Sequence, residues 1–222
     1  VRRASVIVAP TPSPHRSAPD RLAELAGAIE RDPAHVAREA RALADEARAD
    51  QQWTIVSRAQ AVLGRAWRML GEVDAAARAL TDAIEAARMS GDPYLEADAH
   101  IALAGVLSMG GRWADGLGHL DEAERIGSDE LRLSAQLQRA VVVSNLGRLD
   151  EALEIFGRVI PELRRSSRPL DLARGVANRA TIHLARGYVA DAVRGYEEAE
   201  SLFDATGQAF AAALAHENLG CA

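Results

Sequence analysis

The sequence predicts an all-α fold: a solenoid of antiparallel helix pairs, with about 36–40 residues in each pair. Three observations carry that expectation. The stretch "LGRLDEALEIF" (146–156) returns on schedule: Gly71, Gly111 and Gly187 stand in the place of Gly147, at successive intervals of 40, 36 and 40 residues. Residues at fixed offsets from those glycines repeat in size. Finally, 48% of the chain is apolar but only 4% aromatic, with alanine throughout. Such a core packs by close backbone approach, which suits helices pressed together.

Residues 1–19 come first. They hold Arg2, Arg3, Arg16 and four prolines with no acid, and read as a basic, Pro-rich, flexible leader. Their apolar run "VIVA" falls short of the ~7–15 residues of a secretory signal. The array is expected over 20–222, with repeats starting near 17, 57, 97, 133 and 173 and a partial one from 213. "VAREARALADEA" (36–47) fills second-helix positions of the opening repeat through Val36, Ala40 and Leu43.

In the four central frames the slots follow one order. Seven places before the glycine the residue is small (Gly64, Ala104, Ala140, Ala180). Two places after it comes an apolar residue (Val73, Trp113, Leu149, Val189), and five places after it another small one (Ala76, Gly116, Ala152, Ala192). Nine places after it comes a bulky one (Leu80, Leu120, Phe156, Tyr196). A glycine that ends the first helix in a left-handed conformation satisfies the turn. Small residues on both helices let their axes approach, and the bulky residue fills the space below.

Local signals refine this frame. Asp74 and Asp150 are expected as N-caps of second helices. "SGDP" (90–93) and "SSRP" (166–169) are the expected inter-repeat turns. The 36-residue interval lacks about one helical turn, placed near "RIGSDE" (125–130). Pro161 implies a kink or an early end of its helix.

The slots resemble the tetratricopeptide repeat (TPR), whose signature has Leu-Gly in the first helix, then Ala, an aromatic and Ala in the second. Leu63-Gly64 and Leu219-Gly220 match the paired Leu-Gly, and Asn178 and Asn218 an asparagine common near it. Ala83, Ala123 and Ala199 match the last alanine, where the third frame has Val159. Frames of 40 residues exceed the usual ~34, so the helices should be longer. The resemblance implies a right-handed superhelical solenoid, an extended TPR array, and a partner-binding scaffold whose concave face is lined by first helices. Carried over place by place, that face presents Arg58, Arg65, Arg68 and Met69, then Asp98, Ile101, Ser108 and Met109. The third repeat adds Leu137, Val141, Ser144 and Asn145, and the fourth Arg174, Thr181 and Leu184. A cationic start on a neutral, apolar floor would suit a segment with acidic and apolar side chains. The chaperone-tail carboxylate clamp of some relatives is not carried over, since this chain has no lysine.

"HLARGYVADAVRGYEEAESLFDATGQAFAAALAHENLG" (183–220) is similar to arrays that precede CHAT domains, caspase-like cysteine-protease modules of bacterial proteins. This second resemblance implies that the chain is the N-terminal, recruiting or sensing arm of a longer cytoplasmic protein. The other readings are a self-association module, forming a homodimer through an open C-terminal edge, or the arm of a bacterial transcriptional regulator or signalling ATPase.

Little points to chemistry within the chain. No H-E-x-x-H, phosphate loop or G-x-S-x-G occurs, and neither catalytic residues, metal ligands nor a cofactor are expected. His183 reads as a hydrogen-bonded core histidine, His100 and His216 as reaching a groove edge, and Cys221 as a small packing residue. That single cysteine excludes an internal disulfide and suits a reducing interior. Net charge is −6, and −9 beyond the leader, which argues against nucleic acid as partner. No apolar run reaches the ~18 residues that would argue for a membrane span.

Overall fold

The computed structural model describes residues 17–221, so the expected leader lies outside the described residues except at its end. Ser17 caps the first helix, its Oγ accepting from the Asp20 N–H. Eleven helices follow among the described residues: α1 (Ala18–Ala28), α2 (Pro33–Ala49), α3 (Trp53–Met69), α4 (Val73–Ser90), α5 (Pro93–Met109), α6 (Trp113–Ile126), α7 (Asp129–Asn145), α8 (Leu149–Arg165), α9 (Pro169–Ala185), α10 (Val189–Ala205) and α11 (Ala209–Cys221). Each packs against the next, and the short turns make neighbours antiparallel. No strand occurs among the described residues. In the four complete repeats from α3 on, the first helices begin at residues 53, 93, 129 and 169. Each therefore starts one turn upstream of the expected repeat start, which accounts for the long repeat.

All four turn glycines are left-handed, with φ of 78° at Gly71, 73° at Gly111, 77° at Gly147 and 77° at Gly187. The slots hold as well. Leu80, Leu120, Phe156 and Tyr196 are buried beneath the paired helices, and the small residues opposite them are sealed from solvent. Contact at these crossings is intimate: a Cβ built on Gly195 would lie 2.8 Å from that of Ala180.

Asp74 and Asp150 are not caps. Their helices start earlier, at Val73 and Leu149, behind Glu72 and Arg148, whose side chains make no capping bond. The two acids stand in the first helical turn, where they act through the helix dipole instead. Side-chain caps do open several other helices: Asp92 accepts from the N–H groups of Tyr94 and Leu95, and Ser128 from that of Leu131. The missing turn is where the sequence places it. α6 has 14 residues, and Gly127 after it is extended (φ −74°, ψ 155°). α8 does not end early. Pro161 is exposed, so its missing N–H lies on the solvent side, while Phe156, Val159, Ile160 and Leu163 bury the opposite stripe.

First helices of successive repeats touch one another through α1, α3, α5, α7 and α9, whereas second helices of successive repeats stay apart. The stack therefore curves toward its first helices, giving them the inner face. Gaps open between second helices on the outside.

Candidate functional site

The inner face carries a groove of about 660 Å³ spanning α3, α5, α7 and the start of α9. Of the fifteen residues expected there, nine line it: Arg65 and Arg68 from α3; Asp98, Ile101, Ser108 and Met109 from α5; Val141 and Asn145 from α7; Arg174 from α9. Ser108 contributes no free hydroxyl, since its Oγ donates to the Ala104 carbonyl at 2.8 Å.

The other six lie elsewhere. Arg58 and Met69 are exposed on α3 outside the groove. Leu137 is a correction: it is buried in the core, its Cδ1 3.2 Å from where a Gly175 Cβ would stand, and is closed to a ligand. Ser144 Oγ donates to the Val141 carbonyl at 2.8 Å. Thr181 Oγ1 donates to the Ala177 carbonyl and accepts from the Tyr196 hydroxyl at 3.0 Å. Leu184 packs against the cluster of Ala180, Ala192 and Tyr196. On α7 the lining residues are 138, 141 and 145, spaced as one helical stripe. Gln138 is the polar groove residue that the expected set lacks, beside Gly64, Leu80, Ala102, Gly105 and Val106. The spacing from Val141 and Asn145 was the signal that could have found it.

Charge in the groove is uneven. Arg65 Nη2 donates to Asp98 Oδ2 at 2.9 Å, a pair that ties α3 to α5. Arg174 stands 3.7 Å from Asp171. Arg68 makes no ion pair among the described residues. Partial desolvation, then the positive charges of Arg174 and Arg65, pull its guanidinium below the ordinary value. One wall thus holds an arginine without a counter-ion, facing the apolar side chains of Ile101, Val141 and Met109.

The histidines differ from expectation. His100 is buried rather than at a groove edge, its Nδ1 2.8 Å from Nδ1 of His119 and its Nε2 3.8 Å from Glu96. Desolvation, then the neighbouring His119 and Arg88, push its pKa down to about 4. Nδ1 of His183 is buried without a hydrogen-bond partner, and the ring meets Tyr188 edge-on. His216 is exposed on Glu200 at 3.0 Å. The Cys221 side chain lies outside what is described. Among the described residues no group of three or more His, Cys, Asp or Glu side chains is placed to hold a metal ion, and no helix is long and apolar enough to cross a membrane.

No protein-family model matches the chain, and no curated protein matches it in sequence. Solved structures match in fold. The nearly identical TPR-like repeats from Podosopora anserina superpose with a TM-score of 0.57 at 19% identity, over 87% of this chain and 100% of that one. A Rap protein complexed with Competence and Sporulation Factor gives 0.62 at 15% identity, over 90% of this chain and 63% of the Rap chain. BtubC from P. vanneervenii gives 0.57 at 15% identity, over 92% and 90%. The fold is TPR-like.

Proposed function

We propose that the chain is a protein-interaction scaffold whose inner groove holds an extended partner segment bearing acidic and apolar side chains. The observation that carries this reading is Arg68, a guanidinium without a counter-ion beside Arg174 and opposite Ile101 and Val141. A carboxylate from the partner would bridge the two arginines, and its apolar neighbours would settle on the floor. The Rap protein of like fold, solved with Competence and Sporulation Factor, supports the idea that such a stack hosts a ligand.

The test is a fluorescence-polarisation titration with a dye-labelled Glu-Leu-Glu-Leu peptide amide. Arg68→Glu and Arg174→Glu should each weaken binding by about tenfold or more, as expected for lost charge-assisted hydrogen bonds. Arg58→Glu, outside the groove, is the control. Equal effects of all three variants, or none, would defeat the reading.

For the whole protein we propose the recruiting or sensing arm of a larger CHAT-type cysteine protease in a cytoplasmic setting. This rests on the wording of residues 183–220 and on the single cysteine. A transcriptional-regulator or signalling-ATPase arm is the competing whole-protein reading. A His and Cys pair in the coding sequence after 222 would favour the first, and a helix-turn-helix the second. Self-association through the C-terminal edge is a further competing reading. Light scattering discriminates here: dimers retained when the chain is extended by one repeat favour assembly, and dimers lost on extension rule it out.

A further inference from the structure

The inner groove gathers charge of one sign from distant parts of the chain. Arg65 and Arg68 come from α3 and Arg174 from α9, with α5 and α7 between them. The curvature of the stack, not nearness in sequence, brings the three into one space. Against them the lining offers a single carboxylate, Asp98, which already accepts from Arg65 at 2.9 Å.

Arg174 gains little from its own neighbour. Asp171, 3.7 Å away, accepts at 2.9 and 2.6 Å from Nε and Nη2 of the half-buried Arg168, whose charge offsets it. Arg68 makes no ion pair among the described residues, and the positive charges of Arg174 and Arg65 act on it. Two guanidiniums thus face the groove open and within electrostatic reach of each other, an arrangement that an anion between them relieves. A carboxylate, with one negative charge, answers only one of them. Two neutral donors stand in the same lining: the carboxamides of Gln138 and Asn145 on α7, which make no side-chain hydrogen bond among the described residues.

We propose that the segment held in this groove is phosphorylated, its anchor a phosphoserine or phosphothreonine flanked by apolar side chains. This rests on the groove being the partner-binding face and names the group that anchors there. A phosphoryl group carries about −1.5 to −2 charge at neutral pH and three strong acceptor oxygens. That charge matches the two open guanidiniums, whose planar forks suit its oxygens, and one oxygen remains for the Gln138 or Asn145 amide. The apolar neighbours would lie on Ile101, Val141 and Met109, contacts that a free phosphate ion cannot make.

The test is fluorescence polarisation with three dye-labelled peptide amides, Glu-Leu-Xaa-Leu, in which Xaa is phosphoserine, glutamate or serine. The phosphoserine peptide is expected to bind roughly tenfold tighter than the glutamate one. In Arg68→Gln and Arg174→Gln that ratio should fall toward one, and in Arg58→Gln, outside the groove, it should hold. Arg68 and Arg174 are exposed, so the variants should keep the fold, which unchanged melting temperatures would show. Inorganic phosphate should compete at least about tenfold more weakly than the unlabelled phosphopeptide; equal competition would assign the groove to a free anion and overturn the proposal. A ratio unchanged in both groove variants would overturn it too. Equal affinity for the phosphoserine and glutamate peptides would overturn the phosphoryl anchor while leaving the acidic-segment reading in place, and failure of all three peptides to bind would defeat both.

Discussion

Adding one methyl group to either of two mid-helix glycines should move stability in opposite directions. At Gly64 the new Cβ would lie 2.6 Å from Leu80 Cγ, 3.0 Å from its Cδ2 and 3.3 Å from the Ala76 carbonyl. Leu80 is 1% exposed and fills the bulky slot of its repeat, so it has no free space to enter. Overpacking of this kind costs about 1–3 kcal/mol, against about 1 kcal/mol gained from alanine's helix propensity. Gly64→Ala should therefore lose up to about 2 kcal/mol. At Gly105 the nearest atom would be Gln138 Nε2 at 3.5 Å, an ordinary contact. Gly105→Ala should gain about 0.5–1 kcal/mol. Urea unfolding followed by circular dichroism reads both as shifts in midpoint at constant slope. Shifts of the same sign would mean that helix spacing is not set at these crossings, and the packing argument would fail.

Other consequences can be measured on the same protein. Phe156 is fully buried, and Phe156→Ala should cost about 3–5 kcal/mol in the same unfolding assay; a loss below about 1 kcal/mol would show a plastic core. His100 has a pKa of about 4 in the fold against an ordinary 6.5. The unfolded chain then binds more protons between those values, so stability is complete above the upper one and falls as pH drops toward the lower, by on the order of 3 kcal/mol. His119 is shifted in the same direction and adds the same sign. Unfolding midpoints measured from pH 7 to pH 4 should fall less steeply in His100→Leu, and an unchanged slope would refute the assignment. Gln51 holds a left-handed φ of 55° without being glycine. Gln51→Gly should raise stability by about 0.5 kcal/mol, the relief of a left-handed side chain less the entropy glycine adds to the unfolded state; a fall would show that the glutamine side chain carries weight of its own.

Much of the fold could be read from the chain, for a physical reason. A three-residue reversal between long helices needs a left-handed residue, and close crossings need small side chains, so Gly71 or Ala152 announces its place whatever surrounds it. The shortened α6 was legible on the same ground, because one missing turn displaces every later slot. What the sequence hid depends on single-residue register. Whether Asp74 caps a helix or sits inside its first turn is decided by where the preceding reversal ends. Whether Leu137 or Gln138 faces the groove is decided by a rotation of α7 that size classes do not report. His100 was misread likewise: its position matched the family's place, but its partner, His119, comes from α6 and follows no repeat.

Left-handed residues stand at 51, 71, 91, 111, 147, 167, 187 and 207, punctuating the stack about every twenty residues apart from the one shortened unit. The helices α2–α5 and α7–α10 thus end in nearly interchangeable joints, and interior units meet their neighbours in a common way. A genetic duplication or deletion of about forty residues would lengthen or shorten the molecule by one whole hairpin while leaving every remaining joint intact. The polypeptide grows the way a ladder gains rungs, with reach as the adjustable property and the rung design held constant.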